Sequence, residues 1–340
     1  MSSIGKPVPG MSNTYTPMQI SWPVNRRAIA MLIKGEAEGD EANYELPTRP
    51  IHYRLQSVAR LPWAKTYDHV IFHESSLPEK HKPLLQQWSP QIPLRFINVQ
   101  AVFDAGKLLQ SNWTRDAENG RYSFRDPALN RGVRCWNEQY SLSIDKKTNT
   151  TLELADFGYK SMCQFWFADF LDYVTDYDAV LRIDDDIVIE PTALRDPDPG
   201  PGTMINAPRK MGSDKPGVVV GVAGYFKQLS ANMSRTKPIE RHEIWTGREV
   251  GWSSPYSCLV WFNTTWAREW KWAADAVKET QCIYHNRWGD HILWGAVLKL
   301  AGANFKFVKQ MRLPYCHGSH SRGAGCSLAG CRGKRGEGCR

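Results

Sequence analysis

Short apolar runs separated by polar or glycine-rich segments recur along the chain, and their spacing predicts strands alternating with helices. AIAMLIKG, from Ala28 to Gly35, reads as a buried strand stopped by Gly35. An acidic polar loop, EAEGDEANYELPTRP, leads to Ile51–Ala59, which reads as a helix. Strand-like runs follow at His69–Phe72 and Leu94–Val99, with a short helix and loop between them. In GYKSMCQFWFADFLDYVTDYD, Met162, Phe165, Trp166 and Phe170 fall at helical spacing and predict an amphipathic helix. That helix feeds the apolar strand Ala179–Leu181, and Gly217–Phe226 and SPYSCLVWFN read as further strands. In RWGDHILWGAVLKLAG, Ile292, Leu293, Ala296, Val297 and Leu300 share one helical face, with Asp290 placed as N-cap and Gly302 as the stop. NFKFVKQM supplies one last strand. Alternation of this kind predicts an α/β architecture, a mostly parallel sheet with helices on both faces.

Three stretches depart from the pattern. Residues 1–26 form a polar, Pro- and Ser-containing arm, and 105–150 read as an irregular excursion from the sheet. The tail, 318–340, carries seven glycines and cannot bury enough apolar surface to fold alone. The expected organisation is therefore an arm, one folded domain over 27–317, and a Gly/Cys/Arg-rich tail.

The formal charge of +8 is concentrated rather than spread. Arg322, Arg332, Lys334, Arg335 and Arg340 against Glu337 give the tail +4, half the total. The body is only mildly basic, which suits a substrate carrying a diphosphate and does not call for nucleic acid. The tail also lacks the interleaved aromatics on which bases stack. No stretch of about 18 apolar residues exists, so no transmembrane helix is expected, and the first residues lack the apolar core of a signal peptide. Eight cysteines permit disulfides without fixing a compartment; Cys316, Cys326, Cys331 and Cys339 could form disulfides or a zinc site, although their spacing matches no standard zinc pattern. Four N-x-S/T sequons begin at Asn112, Asn149, Asn232 and Asn263. The 14 tryptophans suit core packing or stacking on sugars.

The candidate chemistry sits at the end of the Ala179–Leu181 strand, in YDAVLRIDDDIVIEP. If the strand continues, Asp184 and Asp186 project to one side and Asp185 to the other. Carboxylates held side by side repel unless a cation lies between them. Hard divalent ions take such oxygens and share their remaining positions with substrate phosphates. Alone, the triplet also reads as a solvated turn after a buried strand.

Four patches, GYKSMCQFW, YDAVLRIDDDI, RWGDHILWGAVL and LPYCHG, occur in this order. In order and approximate spacing they resemble the fungal α-1,2-mannosyltransferases of glycosyltransferase family 15, and the resemblance covers roughly Arg27 to His317. It implies a GT-A fold, a Rossmann-like nucleotide-diphospho-sugar transferase fold with a mixed, mostly parallel sheet flanked by helices. It also implies Mn²⁺ (or Mg²⁺), a nucleotide-sugar donor such as GDP-mannose, and retaining transfer of mannose to an oligosaccharide or glycoprotein acceptor. Residue by residue, Asp184 and Asp186 stand on the family's acidic metal pair, with Asp185 in place of its central proline, and His317 on its metal-binding histidine. Arg182, Asp184 and Lys34 are expected on the donor, although Arg182, just before the acids, could instead pair with one of them. Asp290 and Tyr159 correspond to the acid and the helix tyrosine near the reacting sugars. The family's candidate nucleophilic glutamate is absent: Trp252-Ser-Ser-Pro-Tyr256 offers Tyr256 there instead.

A front-face displacement needs no such glutamate, because the departing diphosphate can assist the incoming hydroxyl. Two other readings stay open, a transferase using a UDP-sugar or GDP-fucose, and a catalytically inactive carbohydrate binder. Compartment is divided as well. The resemblance points to the Golgi lumen, whereas the missing signal and anchor point to a soluble cytoplasmic protein.

Overall fold

The computed structural model describes residues 26–33, 50–111, 114–115, 122–123, 157–200, 202–207, 255, 257–281, 283–284, 289–301, 308–309 and 311–317. Its centre is β1 (Arg27–Ile33), whose Ala28–Met31 are buried on both faces, as a strand inside a covered parallel sheet must be. Helix α1 (Pro50–Ala59) and a 3₁₀ turn (Pro62–Thr66) lead to β2 (Asp68–His73), α2 (His81–Gln87), β3 (Leu94–Asn98) and α3 (Gln100–Ser111). A small ladder, β4 (Thr114–Arg115) with β5 (Tyr122–Ser123), follows. Helix α4 runs from Phe157–Gln164 through one π-helical turn, Phe165–Asp169, into Phe170–Tyr173. Then come β6 (Ala179–Ile183), β7 (Ile187–Ile189), β8 (Ile205–Asn206) and β9 (Leu259–Asn263). The chain closes with α5 (Thr264–Glu269), α6 (Lys271–Thr280), α7 (Asp290–Leu300), β10 (Val308–Lys309) and β11 (Tyr315–His317).

Seven strands form one sheet in the order β10-β8-β9-β6-β1-β2-β3. Strand β9 runs antiparallel to both β6 and β8, and the other pairings are parallel. This is the expected mixed, mostly parallel sheet with flanking helices, the GT-A arrangement. Strands β7 and β11 form a separate antiparallel pair beside it. Among the described residues no helix is long and apolar enough to cross a membrane.

One face of the sheet is covered by an aromatic cluster. Phe72, Phe165, Phe167, Phe262 and Trp294 are each buried, and Phe72 meets Phe165 edge-on at 5.0 Å between ring centroids. Trp294 packs edge-on against Phe167 at 5.3 Å and donates from Nε1 to the Trp166 carbonyl, 3.0 Å away, so the indole of α7 is tied to the π-helical turn of α4. The other face packs Ile29, Leu181, Ile183, Ile187, Ile189 and Trp261 over the 3₁₀ turn, where Trp63 Nε1 donates to Ala193 O at 2.8 Å.

Several expectations are revised. Helix α4 is not one-sided in its middle: residues 163–171 are all buried, because the helix is packed between the sheet and α6 and α7. The start of the 105–150 stretch is helical as far as Ser111, as the C-terminal half of α3. Its polar residues and Gly106 hide the helical period, yet Gly106 is what lets α3 approach α4. A Cβ there would lie 2.3 Å from Ser161 Oγ and 3.0 Å from the Tyr284 hydroxyl. Asp290 is the first residue of α7 rather than its cap, and the Gly289 carbonyl accepts from Ile292 N and Leu293 N. The sequon residue Asn263 is engaged in capping α5, its side chain accepting from Trp266 N at 3.0 Å. The arm up to Asn25, the tail from Gly318 and the expected strand Gly217–Phe226 lie outside the described residues.

Candidate functional site

The acids do not continue β6. Asp184 N donates to Cys258 O at 2.9 Å, which closes the sheet pairing, and Ile187 N then reaches back to Asp184 O at 3.1 Å. The triplet is therefore a four-residue turn, Asp184–Ile187, between β6 and β7. Turning the chain here sends the two outer carboxylates to different partners, where an extended strand would have aligned them.

Asp184 is held by Arg182, with Nε 2.7 Å from Oδ1 and Nη2 3.2 Å from Oδ2. The third guanidinium nitrogen, Nη1, donates to Asp290 Oδ2 at the start of α7. The face of the same guanidinium lies over the Trp166 ring, 4.5 Å from its centroid. Arg182 is 1% exposed and Asp290 2%, so this is a buried Asp-Arg-Asp triad on an aromatic floor. Burial alone would lower the Arg182 pKa, but the Asp184 and Asp290 charges outweigh it and hold the guanidinium firmly protonated. Cys163 of α4 closes the group; burial and then the Asp290 charge push its thiol up to about 12, while it hydrogen-bonds the Asp290 backbone and the Tyr159 side chain. Tyr159, 37% exposed, is the partner of Cys163 in this group.

Asp186 faces the other way. Pairing of β11 with β7 sets His317 opposite Ile187 and places His317 Nε2 3.2 Å from Asp186 Oδ1. The His317 side chain is 12% exposed, so it is a half-enclosed strand residue and not a solvated loop histidine. Cys316, next to it, is buried and disulfide-bonded. All four patches thus meet at one end of β6: Cys163 and Trp166 from the first, Arg182 to Asp186 from the second, Asp290 from the third and His317 from the fourth.

Among the described residues no group of three or more His, Cys, Asp or Glu side chains is arranged to hold a metal ion. Asp184 is engaged by Arg182. What the turn offers is a carboxylate oxygen and an imidazole nitrogen 3.2 Å apart. That pair fits one side of a divalent ion that completes its shell with water and phosphate oxygens. Lys34 and Tyr256 lie outside the described residues.

Two residues at this site carried no sequence signal. Cys258, one of eight cysteines with nothing to mark it, is a free thiol hydrogen-bonded to the Asp184 carboxylate; burial and then that charge raise its pKa well above the ordinary thiol value. Arg54, in the middle of α1, is buried near the turn and feels the Asp185 and Asp184 charges. Burial, followed by the Asp186 and Asp184 charges, raises Asp185 to about 7.

A sheet of this order with β9 reversed, and an acid turn at the end of β6, define a GT-A glycosyltransferase fold. No family model and no curated protein sequence matches the chain. Among solved structures it is similar to core-mannan synthase A (CmsA/Ktr4) from Aspergillus fumigatus in its Mn/GDP form, with TM-score 0.54 and 14% identity over 92% of this chain and 81% of that one. It is also similar to the mannosyltransferase Ktr4p from S. cerevisiae, with TM-score 0.51 and 11% identity over 87% of this chain and 70% of that one. The same enzyme in complex with GDP gives TM-score 0.51, again at 11% identity. The expected resemblance to glycosyltransferase family 15 is met at the level of the fold.

Proposed function

We propose that this chain is a metal-dependent retaining glycosyltransferase that takes mannose from GDP-mannose to a glycan or glycoprotein acceptor. The observation that carries the reading is the 3.2 Å approach of His317 to Asp186 at the turn where all four patches converge. It is supported by the fold shared with mannosyltransferases solved with GDP, and with Mn and GDP.

In this reading Asp186 and His317 would hold Mn²⁺ or Mg²⁺, which would offset the negative charge that grows on a departing diphosphate. The protein's own contribution is rigidity and charge. Arg182 locks Asp184 and Asp290 into one buried unit, so the turn and the start of α7 keep a fixed separation while substrate binds. Asp290 is committed to Arg182 and is 2% exposed, which favours a positioning role over direct attack on the sugar. Tyr159, partly exposed beside it, is the described side chain best placed to meet a sugar hydroxyl. Lys34 is assigned to the donor and Tyr256 to the reacting sugar by the family resemblance. A front-face displacement, with the diphosphate oxygen taking the acceptor proton, asks for no further carboxylate. A Golgi-lumen setting goes with this function and is supported by the disulfide at Cys316.

Purified protein with Mn²⁺ and a panel of GDP-mannose, GDP-fucose and UDP-sugars tests the proposal by release of free nucleoside diphosphate. Release from GDP-mannose above the other donors is expected. Release from a UDP-sugar alone would move the donor assignment, and none from any donor would favour a carbohydrate binder.

A further inference from the structure

A groove of about 460 Å³ opens between the ends of α1 and α2, with Trp88 in its wall and Gln56, Arg60, Gln87 and Gln91 around it. That volume falls in the range of small-molecule sites, about 300–1,000 Å³. Helix α1 joins β1 to β2 and α2 joins β2 to β3, and these strands are parallel. Both helices therefore end near where the strands begin. The acid turn follows the end of β6, which is parallel to β1, so the groove lies at the opposite edge of the sheet. None of its residues takes part in the proposed reaction.

The walls are fixed from behind. The Trp88 ring is stacked on buried His52, with 4.4 Å between centroids and 10° between planes, and packs on the cluster containing Ile51, Leu55 and Leu85. With one face covered by His52, the indole meets a ligand from its other face or its edge. Gln86 commits its whole amide to the loop after α2: Nε2 donates to Ser89 O at 2.7 Å and Ile92 O at 3.0 Å, and Oε1 accepts from Leu94 N at 2.8 Å. Ile92 is buried, which anchors the same loop from inside. By contrast, the side chains of Gln56, Arg60, Gln87 and Gln91 make no hydrogen bond or ion pair among the described residues. A rigid frame with unengaged polar tips suits a preformed binding site, because little order has to be created when a ligand arrives.

The lining also selects the ligand. Its three amides each donate and accept, as sugar hydroxyls do, and a tryptophan offers a flat apolar surface to the C–H face of a pyranose. Among the described residues no carboxylate, histidine or cysteine lines the groove, so it offers nothing to a metal ion or a cationic ligand. Against an anion stands the polarity of the helices: α1 and α2 both bring their C-terminal, partly negative ends to the groove, where Arg60 is the single cation of the lining. We propose that this groove is a second carbohydrate site, binding an uncharged pyranose of a glycan at the sheet edge away from the acid turn. That the glycan belongs to the acceptor rests on the proposed function; the binding of a neutral sugar does not.

The test is a saturation-transfer-difference NMR titration of the full chain in EDTA, without donor, using α-1,2-mannotriose, cellotriose and mannose 6-phosphate as probes. At least one of the two neutral trisaccharides should receive saturation from the protein. Gln87→Ala combined with Gln91→Ala should weaken its binding on the order of tenfold. Both substituted residues are exposed, so the double variant should melt within about 2 °C of wild type. No transfer to either trisaccharide would overturn the site. So would equal binding by wild type and the double variant, which would put the sugar elsewhere on the protein. Tighter binding of mannose 6-phosphate than of either trisaccharide would overturn the uncharged ligand. Release of nucleoside diphosphate from a donor sugar should be the same in the double variant as in wild type. A failed groove therefore leaves the proposed reaction standing, and a failed reaction leaves the groove to be judged on sugar binding alone.

Discussion

Replacing Arg182 by methionine removes the hub of the site while keeping an apolar stem over Trp166. The guanidinium makes two bonds to Asp184, at 2.7 and 3.2 Å, one to Asp290, and lies 4.5 Å from the centre of the Trp166 ring. Its loss leaves Asp290, 2% exposed, and Asp184, with an 18% exposed side chain, as neighbouring acids with no cation between them. Breaking a buried ion pair by removing one partner costs about 3–5 kcal/mol, much of it the desolvation of the charge left behind. Two carboxylates are stranded here, and one takes up a proton, so the upper end of that range applies. At roughly 2–4 °C per kcal/mol, melting should fall by about 10–15 °C, read by circular dichroism. Arg182→Lys keeps one positive charge but cannot make the forked contact, and should lose about half as much. Adding Asp290→Asn to Arg182→Met should restore several degrees, because the repulsion is then gone. Arg182→Met melting within about 2 °C of wild type would show that the triad contributes no net stability.

Other consequences follow from the same packing. His69 is buried, donates from Nε2 to Ala64 O at 3.0 Å, and has its pKa lowered to about 4, first by burial. The unfolded chain therefore takes up a proton near pH 6.5 that the folded chain refuses until about pH 4. Stability is complete above the unfolded value and falls as pH drops, by about 2 kcal/mol at pH 5; His69→Gln should flatten the melting-versus-pH curve over that window, and an unchanged slope would contradict the assignment. Gly106→Ala should cost about 1–3 kcal/mol by overpacking α3 on α4. Adding Ser161→Ala, which removes the oxygen that the new Cβ would meet at 2.3 Å, should return part of that loss in a denaturant titration.

Much of the scaffold was legible in the sequence because its signals are local. AIAMLIKG and Ala179–Leu181 read as buried strands since continuous apolar runs do little else, and the second strand extends through Arg182 to Ile183 because two acids receive the guanidinium. The α7 face carrying Ile292, Leu293, Ala296 and Val297 is buried as its spacing requires. What could not be read were features decided by tertiary partners. The acids after the apolar strand read either as its extension or as a turn, and the choice is made by Cys258 O, which takes Asp184 N and lets the turn form. Asp290 has every mark of a cap, and Arg182, 108 positions away, claims its side chain instead. No local pattern announces the register of β11 on β7 that brings His317 to Asp186, and only the family resemblance put the two residues at one site. Arg54 looks like any helical arginine, and only the burial of its face against β7 makes it unusual.

In the proposed function Asp186 and His317 together hold a divalent ion that the donor needs. Isothermal titration of GDP-mannose into wild type, Asp186→Ala and His317→Ala, each with Mn²⁺ and with EDTA, decides whether they do. Binding should require Mn²⁺ in wild type and weaken on the order of a hundredfold in each variant, with melting temperatures little changed. Donor binding of equal strength in EDTA, or undiminished in both variants, would contradict the account.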